Sequence, residues 1–359
     1  VSETLSLPEN AFDREMPEHE IQNWNNLFNL KPASRWVEES VKRPAQKALF
    51  GDFWLEGELS ILFSDTGRGK STLAVQIAEA LARGVSLAPF EAVPAAQKVL
   101  YFDFEMSEKQ FAARYSAATE DPADSAADSA AGESLRAHYQ FSGNFLRAQV
   151  APHDELPCGY KNLTEFVQYS FNQLLRESEA RVVIVDNITF LKGTNQNAAA
   201  AAQLMKALKH IKQYYAVSIL VLAHTPKRAF TAPLTINDLQ GSNMLSNFAD
   251  NVFALGASFQ DPDLRYLKHI KHRNTGVKYD GSNVILYRLV KNGFFLNLEF
   301  AGYGSERAQL EGCRENAKER RGKLKARAWR LKLSGKTQRE IASCLAVSPS
   351  TVSRYLEAL

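Results

Sequence analysis

The 359-residue chain is 45% hydrophobic and 23% charged, the balance of a soluble globular protein. No run approaches the roughly 18 apolar residues that a membrane helix needs, which excludes a helical span. The net charge of +3 hides an asymmetry: residues 301–359 hold 13 Lys/Arg and 6 Asp/Glu, a net +7, so the rest sums to −4.

In chain order, residues 1–44 show no strand pattern. Trp24, Leu27, Phe28, Trp36 and Val37 stand among polar residues and predict an arm with one or two short helices, docked on its own core or on a neighbouring subunit. The opening VSETLSLPENAFDREMPEHE is polar and acidic, unlike a signal peptide. Cys158, Cys313 and Cys344 are scattered without metal spacing, so a reduced, cytoplasmic compartment is expected.

From Gly51 to about Leu298, apolar strand candidates alternate with helical patterns. The strands are 59–63, 98–104, 181–186, 217–222, 251–255, 264–271, 283–290 and 293–298; the helices are 70–83, 107–117, 162–178 and 198–215. Near-continuous apolar strands separated by helices predict a parallel sheet covered on both faces, with the last strands as an antiparallel extension. The Ala/Ser/Asp-rich stretch 117–133 reads as a mobile surface loop, and 198–202 (AAAAA) as a helix start.

Ile61–Thr72, ILFSDTGRGKST, places a glycine-containing loop between a buried strand and a helix N-terminus. This order predicts a phosphate-binding loop made of Ser64, Asp65, Thr66, Gly67, Arg68, Gly69, Lys70, Ser71 and Thr72. Its N–H groups would face phosphate oxygens, Lys70 would reach the β/γ-phosphates of ATP, and the Ser71 hydroxyl would bind Mg²⁺. The usual G-x-x-x-x-G-K-[ST] pattern is broken at its first position, where Ser64 stands. Serine leaves the strand there only with negative φ, and Asp65 adds an anion near the phosphates.

RVVIVDN, residues 181–187, reads as a strand ending in Asp186, an acid placed to act with Ser71 on Mg²⁺. In YFDFEMS, residues 101–107, Asp103 and Glu105 share one strand face. Glu105, at the tip, can orient and deprotonate an attacking water, or simply favour the dipole of the helix that follows. ILVLAHTPK, residues 219–227, ends in His224 and Thr225, where a donor can sense a γ-phosphate. In the segment after it, Lys227 and Arg228 either contact nucleic-acid phosphates or belong to a loop that only closes the ATP site.

FSDTGRGKST, YFDFEMS, RVVIVDN, LAHTPK and LKHIKHRNTG occur in the order of the RecA-like ATPases, and the chain resembles the hexameric helicases of the DnaB and RepA types over residues 46–300. FDFEMS is similar to the strand whose Glu is their catalytic base, which falls on Glu105. IKHRNTG is similar to their KQRNG segment, whose Lys and Arg act across the subunit boundary; these positions are Lys271 and Arg273. His224 matches the RepA-type sensor. Gln240, Gly241 and Ser242 resemble the Gly-Ser segment that follows the channel loop. The resemblance implies an α/β RecA-like P-loop NTPase core, a homo-oligomer of hexameric type, and single-stranded DNA in its channel.

Residues 324–358 predict three short helices. Ala328, Leu331 and Leu333 precede Gly335; Thr337 and Glu340 suit a capping box; Ser348 and Pro349 suit an N-cap and first helical position. The stretch resembles the helix-turn-helix of bacterial regulators and sigma factors. That likeness puts the last helix in a DNA major groove, with Ser350, Thr351 and Arg354 reaching bases or phosphates and Lys323, Lys325, Arg327 and Arg330 adding backbone contacts. A helix-turn-helix used for protein contacts stays open.

The expected organisation is an arm (1–44), an ATPase domain (45–302), a basic linker (303–322) and a small all-α DNA-binding domain (323–359). The expected function is an ATP- and Mg²⁺-dependent DNA motor serving replication or mobilisation of a plasmid or mobile element. An ATP-switched oligomeric regulator that does not translocate is the alternative, and a non-hydrolysing interaction protein is a third, for which Ser64 and Asp65 speak.

Overall fold

The apolar runs of the chain assemble into one large sheet, because nearly every residue along them is buried. The computed structural model describes residues 30–91, 95–117, 137–149, 163–188, 198–226, 228–239, 243–273, 276–345 and 347–357. The chain divides into two compact units, Val1–Ala45 and Gln46–Leu359. In the first, α1 (Ala33–Val41) leaves Trp36, Val37 and Val41 exposed, and Lys31 and Arg35 both donate to Glu39. Trp24, Leu27 and Phe28 lie outside the described residues.

The second unit opens with a small antiparallel pair, β1 (Ala48–Phe50) and β2 (Trp54–Leu55). There follow β3 (Leu59–Ser64), α2 (Lys70–Arg83), β4 (Val99–Asp103), α3 (Glu108–Tyr115), β5 (Phe145–Gln149), α4 (Leu163–Ser178), β6 (Val182–Asp186), α5 (Ala198–Tyr215) and β7 (Ser218–His224). Then come α6 (Asn243–Phe248), β8 (Asn251–Ala257), β9 (Leu264–His272), β10 (Val284–Asn292) and β11 (Phe295–Gly304). Among the described residues nine strands form one sheet in the order β11-β10-β9-β8-β3-β7-β6-β4-β5. All neighbours from β8 to β5 are parallel, and β8 to β11 pair antiparallel, as expected for the extension. The Ala/Ser/Asp-rich stretch from residue 118 to 133 lies outside the described residues.

Side chains alternate across this sheet. Ile61, Phe63, Val183, Val185, Ile219 and Val221 face one core with Phe171 and Leu175 of α4 and Leu204 and Leu208 of α5. Leu62, Val182, Ile184, Leu220 and Leu222 face the other with Leu73, Ile77 and Leu81 of α2. Phe102 and Phe171 stack at 3.7 Å between centroids, a contact that adds about 0.5–1.5 kcal/mol to burial. The helix α2 keeps its expected bounds because glycines in left-handed conformation flank it, Gly69 (φ 94°) and Gly84 (φ 69°). A Cβ at Gly84 would sit 2.7 Å from the Ala96 nitrogen.

Over 303–322, expected as a basic linker, the chain is helical from Glu306 and continues without a break to Leu333 (α7). Ser305 accepts from the Ala308 N–H and caps it, Glu306 favours its dipole, and nothing before Gly335 (φ 82°) ends it. After it come α8 (Gln338–Leu345) and α9 (Pro349–Glu357). Ala328, Ile341, Ala342, Leu345, Val352 and Tyr355 form a separate apolar cluster among these three helices. Leu333 does not join it and is 81% exposed, since it lies on the opposite side of the last turn. The Thr337–Glu340 capping box is formed, with N–H to side-chain contacts of 2.8 and 3.4 Å, and Ser348 caps Thr351 at 3.2 Å. Among the described residues no helix is long and apolar enough to cross a membrane.

Candidate functional site

The β3 strand ends at Ser64, level with His224 on one side and Leu255 on the other. Glu179 and Ala216 are the non-glycine residues with positive φ among those described, so Ser64 leaves the strand with negative φ and needs no glycine. The left-handed turns fall instead on Gly67 (φ 72°) and Gly69 (φ 94°). Alternation of handedness along Gly67–Arg68–Gly69 turns successive N–H groups into a concavity suited to an anion. Helix α2 begins directly after it, with no side-chain cap and no acid in its first turn. Its free N–H groups and dipole therefore face the same concavity. Lys70 and Thr72 are buried, while Thr66, Arg68 and Ser71 line the loop more openly.

Three parallel strands beside β3 bring their C-terminal ends to this loop, as the topology of open α/β sheets requires. Asp103 and Asp186 are paired positions on β4 and β6. Asp103 is engaged within the chain. Its Oδ1 accepts from the Glu105 and Met106 N–H groups at 3.1 and 2.9 Å, and its Oδ2 pairs with Arg147 of β5 at 2.8 Å. It thereby shapes the turn that presents Glu105. Asp186 is fully buried; its Oδ2 accepts from the Tyr101 hydroxyl at 2.7 Å, and its Oδ1 has no hydrogen-bond partner among the described residues. Burial pushes the Asp186 carboxyl up, against the favourable field of Lys70 and the nearby Ser71 hydroxyl.

Glu105, Asn187, His224 and Lys70 form a connected hub. Asn187 Nδ2 donates to Glu105 Oε2 at 2.8 Å and lies 2.9 Å from His224 Nε2. His224 Nε2 is 3.5 Å from the same carboxylate oxygen, and its Nδ1 is 3.3 Å from Lys70 Nζ. The hydrogen bond to His224, then Lys70 and Asn187, hold the Glu105 carboxyl down at about 2 despite partial burial. Burial lowers Lys70, opposed by Asp186 and Glu105. An ammonium only donates, so Nδ1 accepts from Lys70 and a neutral ring carries its proton on Nε2. That proton suits Glu105 and conflicts with the Asn187 amide nitrogen.

Asp65, the anion expected to trouble a phosphate, is neutralised within the chain. It accepts from the Thr225 hydroxyl and pairs with Arg228 at 3.3 Å. Arg228 also pairs with Asp238 at 3.2 Å and donates to the Ala232 carbonyl. The guanidinium expected to touch DNA thus lies between two carboxylates of its own chain. Lys227 and the segment Gln240–Ser242 lie outside the described residues.

Lys271 and Arg273 are not brought to their own phosphate loop. Ser64 is level with Leu255 and Leu267, whereas Lys271 is level with Val252 and Ile61. That sets Lys271 back by about 10 Å and Arg273 by about 16 Å along the strands, at the end of the sheet opposite the loop. Lys271 Nζ donates to the Ser246 and Ala249 carbonyls at 2.5 and 3.1 Å. Arg273 donates to the Asn247 carbonyl and lies 3.7 Å from Asp250. In the tail, Thr351 shares a hydrogen bond with Ser348 at 2.8 Å, and exposed Arg354 reaches the Thr351 hydroxyl at 3.4 Å. Ser350 lies in α9 with its side chain outside what is described.

The residues fit a magnesium ion. An orphaned, buried carboxylate oxygen on Asp186 beside the Ser71 hydroxyl offers hard oxygen donors. Among the described residues no group of three His, Cys, Asp or Glu could hold a metal ion.

Sequence reasoning missed Asn187, Tyr101 and Arg265. Asn187 and Tyr101 stood in quoted motifs without being given a role; Arg265 is delivered by strand register alone.

Comparison with known proteins adds the following. A family model described as AAA domain matches residues 27–229. The solved structure of a KaiC-like protein from the hyperthermophilic archaeon Pyrococcus horikoshii OT3 is 13% identical, covers 71% of this chain and 98% of its own, and superposes with a TM-score of 0.46. No curated protein matches the chain.

Proposed function

The chain belongs to the AAA domain family, and from that premise we propose that this RecA-like P-loop ATPase is a DNA-binding motor, a hexameric helicase-like ring that serves replication or mobilisation of a plasmid or mobile element. The observation that carries the proposal is the hub of Lys70, His224, Asn187 and Glu105 at the mouth of an uncapped helix. Phosphoryl transfer needs positioning and charge more than covalent chemistry, and this hub supplies both. Lys70 moves to the phosphates, and His224, no longer tied to it, shifts its proton from Nε2 to the freed Nδ1 and donates it to the γ-phosphate. Glu105 then loses its two strongest supports, becomes more basic, and takes a proton from the attacking water. Ser71 and Asp186 would hold magnesium, which would neutralise phosphate charge.

The retreat of Lys271 and Arg273 from their own loop supports a second part of the reading, in which they complete a neighbour's site in a ring. Single-stranded DNA then passes through the channel near Lys227. The basic tail, with net +7 over residues 301–359, engages duplex DNA through α8 and α9. The test is strand displacement: unwinding that requires ATP and Mg²⁺ supports the motor.

The second reading is an ATP-switched oligomeric regulator that does not translocate. The well-capped α8 and α9, suited to a sequence-reading head, favour it. ATP-dependent binding of one duplex sequence, with no strand displacement on any substrate, selects this reading.

A further inference from the structure

Arg265, on β9, is buried and lies beside the phosphate loop. Strand register brings it there. Ser64 is level with Leu255 and Leu267, and Arg265 pairs with Ala257, two positions farther along. It therefore stands just beyond the end of β3, where the loop turns. Its Nε donates to the Arg68 carbonyl at 2.9 Å, and its Nη1 donates to the Pro262 and Leu264 carbonyls at 2.5 and 3.0 Å. All three acceptors are neutral. Burial, followed by the neighbouring Arg68, holds this guanidinium below its ordinary range. The Arg68 side chain itself lies over the Phe230 ring at 4.8 Å.

The Arg68–Gly69 peptide joins two residues of the concavity, and Gly69, without a Cβ, leaves it free to turn on that side. This peptide is trans, so its carbonyl and its N–H point in opposite directions. Anchoring the Arg68 carbonyl on Arg265 therefore turns the Gly69 N–H away from Arg265. We infer that Arg265 is a positioning residue for nucleotide binding: it clamps the Arg68–Gly69 peptide plane so that the Gly69 N–H is held ready for a phosphate of a nucleoside di- or triphosphate. The inference rests on the proposed nucleotide-binding role of this loop. An N–H that grips a non-reacting phosphate binds ground state and transition state alike, so its loss appears in KM and not in kcat.

The test compares the full chain with Arg265→Met and Arg265→Lys. It measures ADP affinity by titration with a fluorescent ADP analogue, ATP turnover, and thermal stability without ligand. In Arg265→Met the Kd for ADP and the KM for ATP rise about tenfold, the scale of one lost hydrogen bond to a charged group, while kcat stays within about twofold. Arg265→Lys, which keeps one donor for the Arg68 carbonyl, recovers part of that loss. Should Arg265→Met fail to fold, Arg265→Lys carries the test, with an intermediate KM and unchanged kcat expected. Wild-type affinity in either folded variant, or a fall in kcat with KM unchanged, overturns the inference. Absence of ADP and ATP binding by the wild-type chain defeats the nucleotide reading itself and is thereby distinguished from failure of the clamp alone.

Discussion

Asn187 donates its amide to the Glu105 carboxylate at 2.8 Å, joining the tip of β6 to the turn after β4. With His224 and Lys70 it keeps that carboxylate ionised far into acid, at about 2 instead of 4.5. A depressed folded pKa means that the ionised group favours the fold. Its contribution is complete above about pH 4.5 and disappears as pH falls towards about 2. Urea midpoints across that window should fall more steeply for the wild type than for Glu105→Gln, with the difference between them shrinking towards pH 2. Parallel curves would show that the hub does not hold this charge.

Lys70 and Glu105 separate binding from chemistry. Lys70→Ala should weaken ADP binding roughly 10- to 100-fold, by loss of a charge-assisted hydrogen bond, and abolish turnover. Glu105→Gln should keep ADP affinity and lose at least about a hundredfold in kcat. Titration and a phosphate-release assay on the same samples read both. Turnover that survives in Glu105→Gln removes this residue from the base role.

Arg273 tests the shared site. Arg273→Ala alone should lose ATP turnover. Mixing it with Lys70→Ala subunits should restore part, because an intact arginine then meets an intact loop across the boundary. Activity that never exceeds the sum of the two separate preparations contradicts a neighbour's contribution.

Arg228 is held between Asp65 and Asp238 at 3.3 and 3.2 Å. Arg228→Ala leaves two carboxylates facing each other in a half-dry site and should destabilise the protein by about 3–5 kcal/mol. Pairing Arg228→Met with Asp65→Asn should recover part of that loss, as it removes one of the two carboxylate charges left unpaired and leaves Asp238. Chemical denaturation of the three variants measures it, and a loss below about 1 kcal/mol would mean that the pair is only a surface contact.

Much of the fold was legible because burial writes a period into the chain. The apolar runs at 59–63 and 181–186 became β3 and β6 with a shift of one residue at a single end, and the glycines at 69 and 84 bounded α2. The β5 strand was hidden: its burial is only partial, so no apolar run marks it. The helix from Glu306 was hidden by its charge, since a chain rich in Lys, Arg and Glu reads equally as a solvated connector. Within the site, Glu105, Asp186 and His224 stood at strand tips and Lys70 at a helix start, each in a local motif, and they converge on Lys70. Arg265 carries no local signal, and Tyr101, though inside the quoted YFDFEMS run, carries none that marks the role of its hydroxyl. One reaches the loop because β9 pairs with β8, and the other reaches Asp186 because β4 pairs with β6.

Ser64 stands where phosphate loops of this pattern carry glycine, yet its backbone needs no left-handed turn. Such a residue narrows the conformations open to the denatured chain. By about 0.4–1 kcal/mol it reduces the entropy that folding must remove, relative to glycine. Rotational freedom is thus withdrawn from the loop's entry and confined to its middle, at Gly67 and Gly69, so the loop hinges at its crest while its root stays stiff.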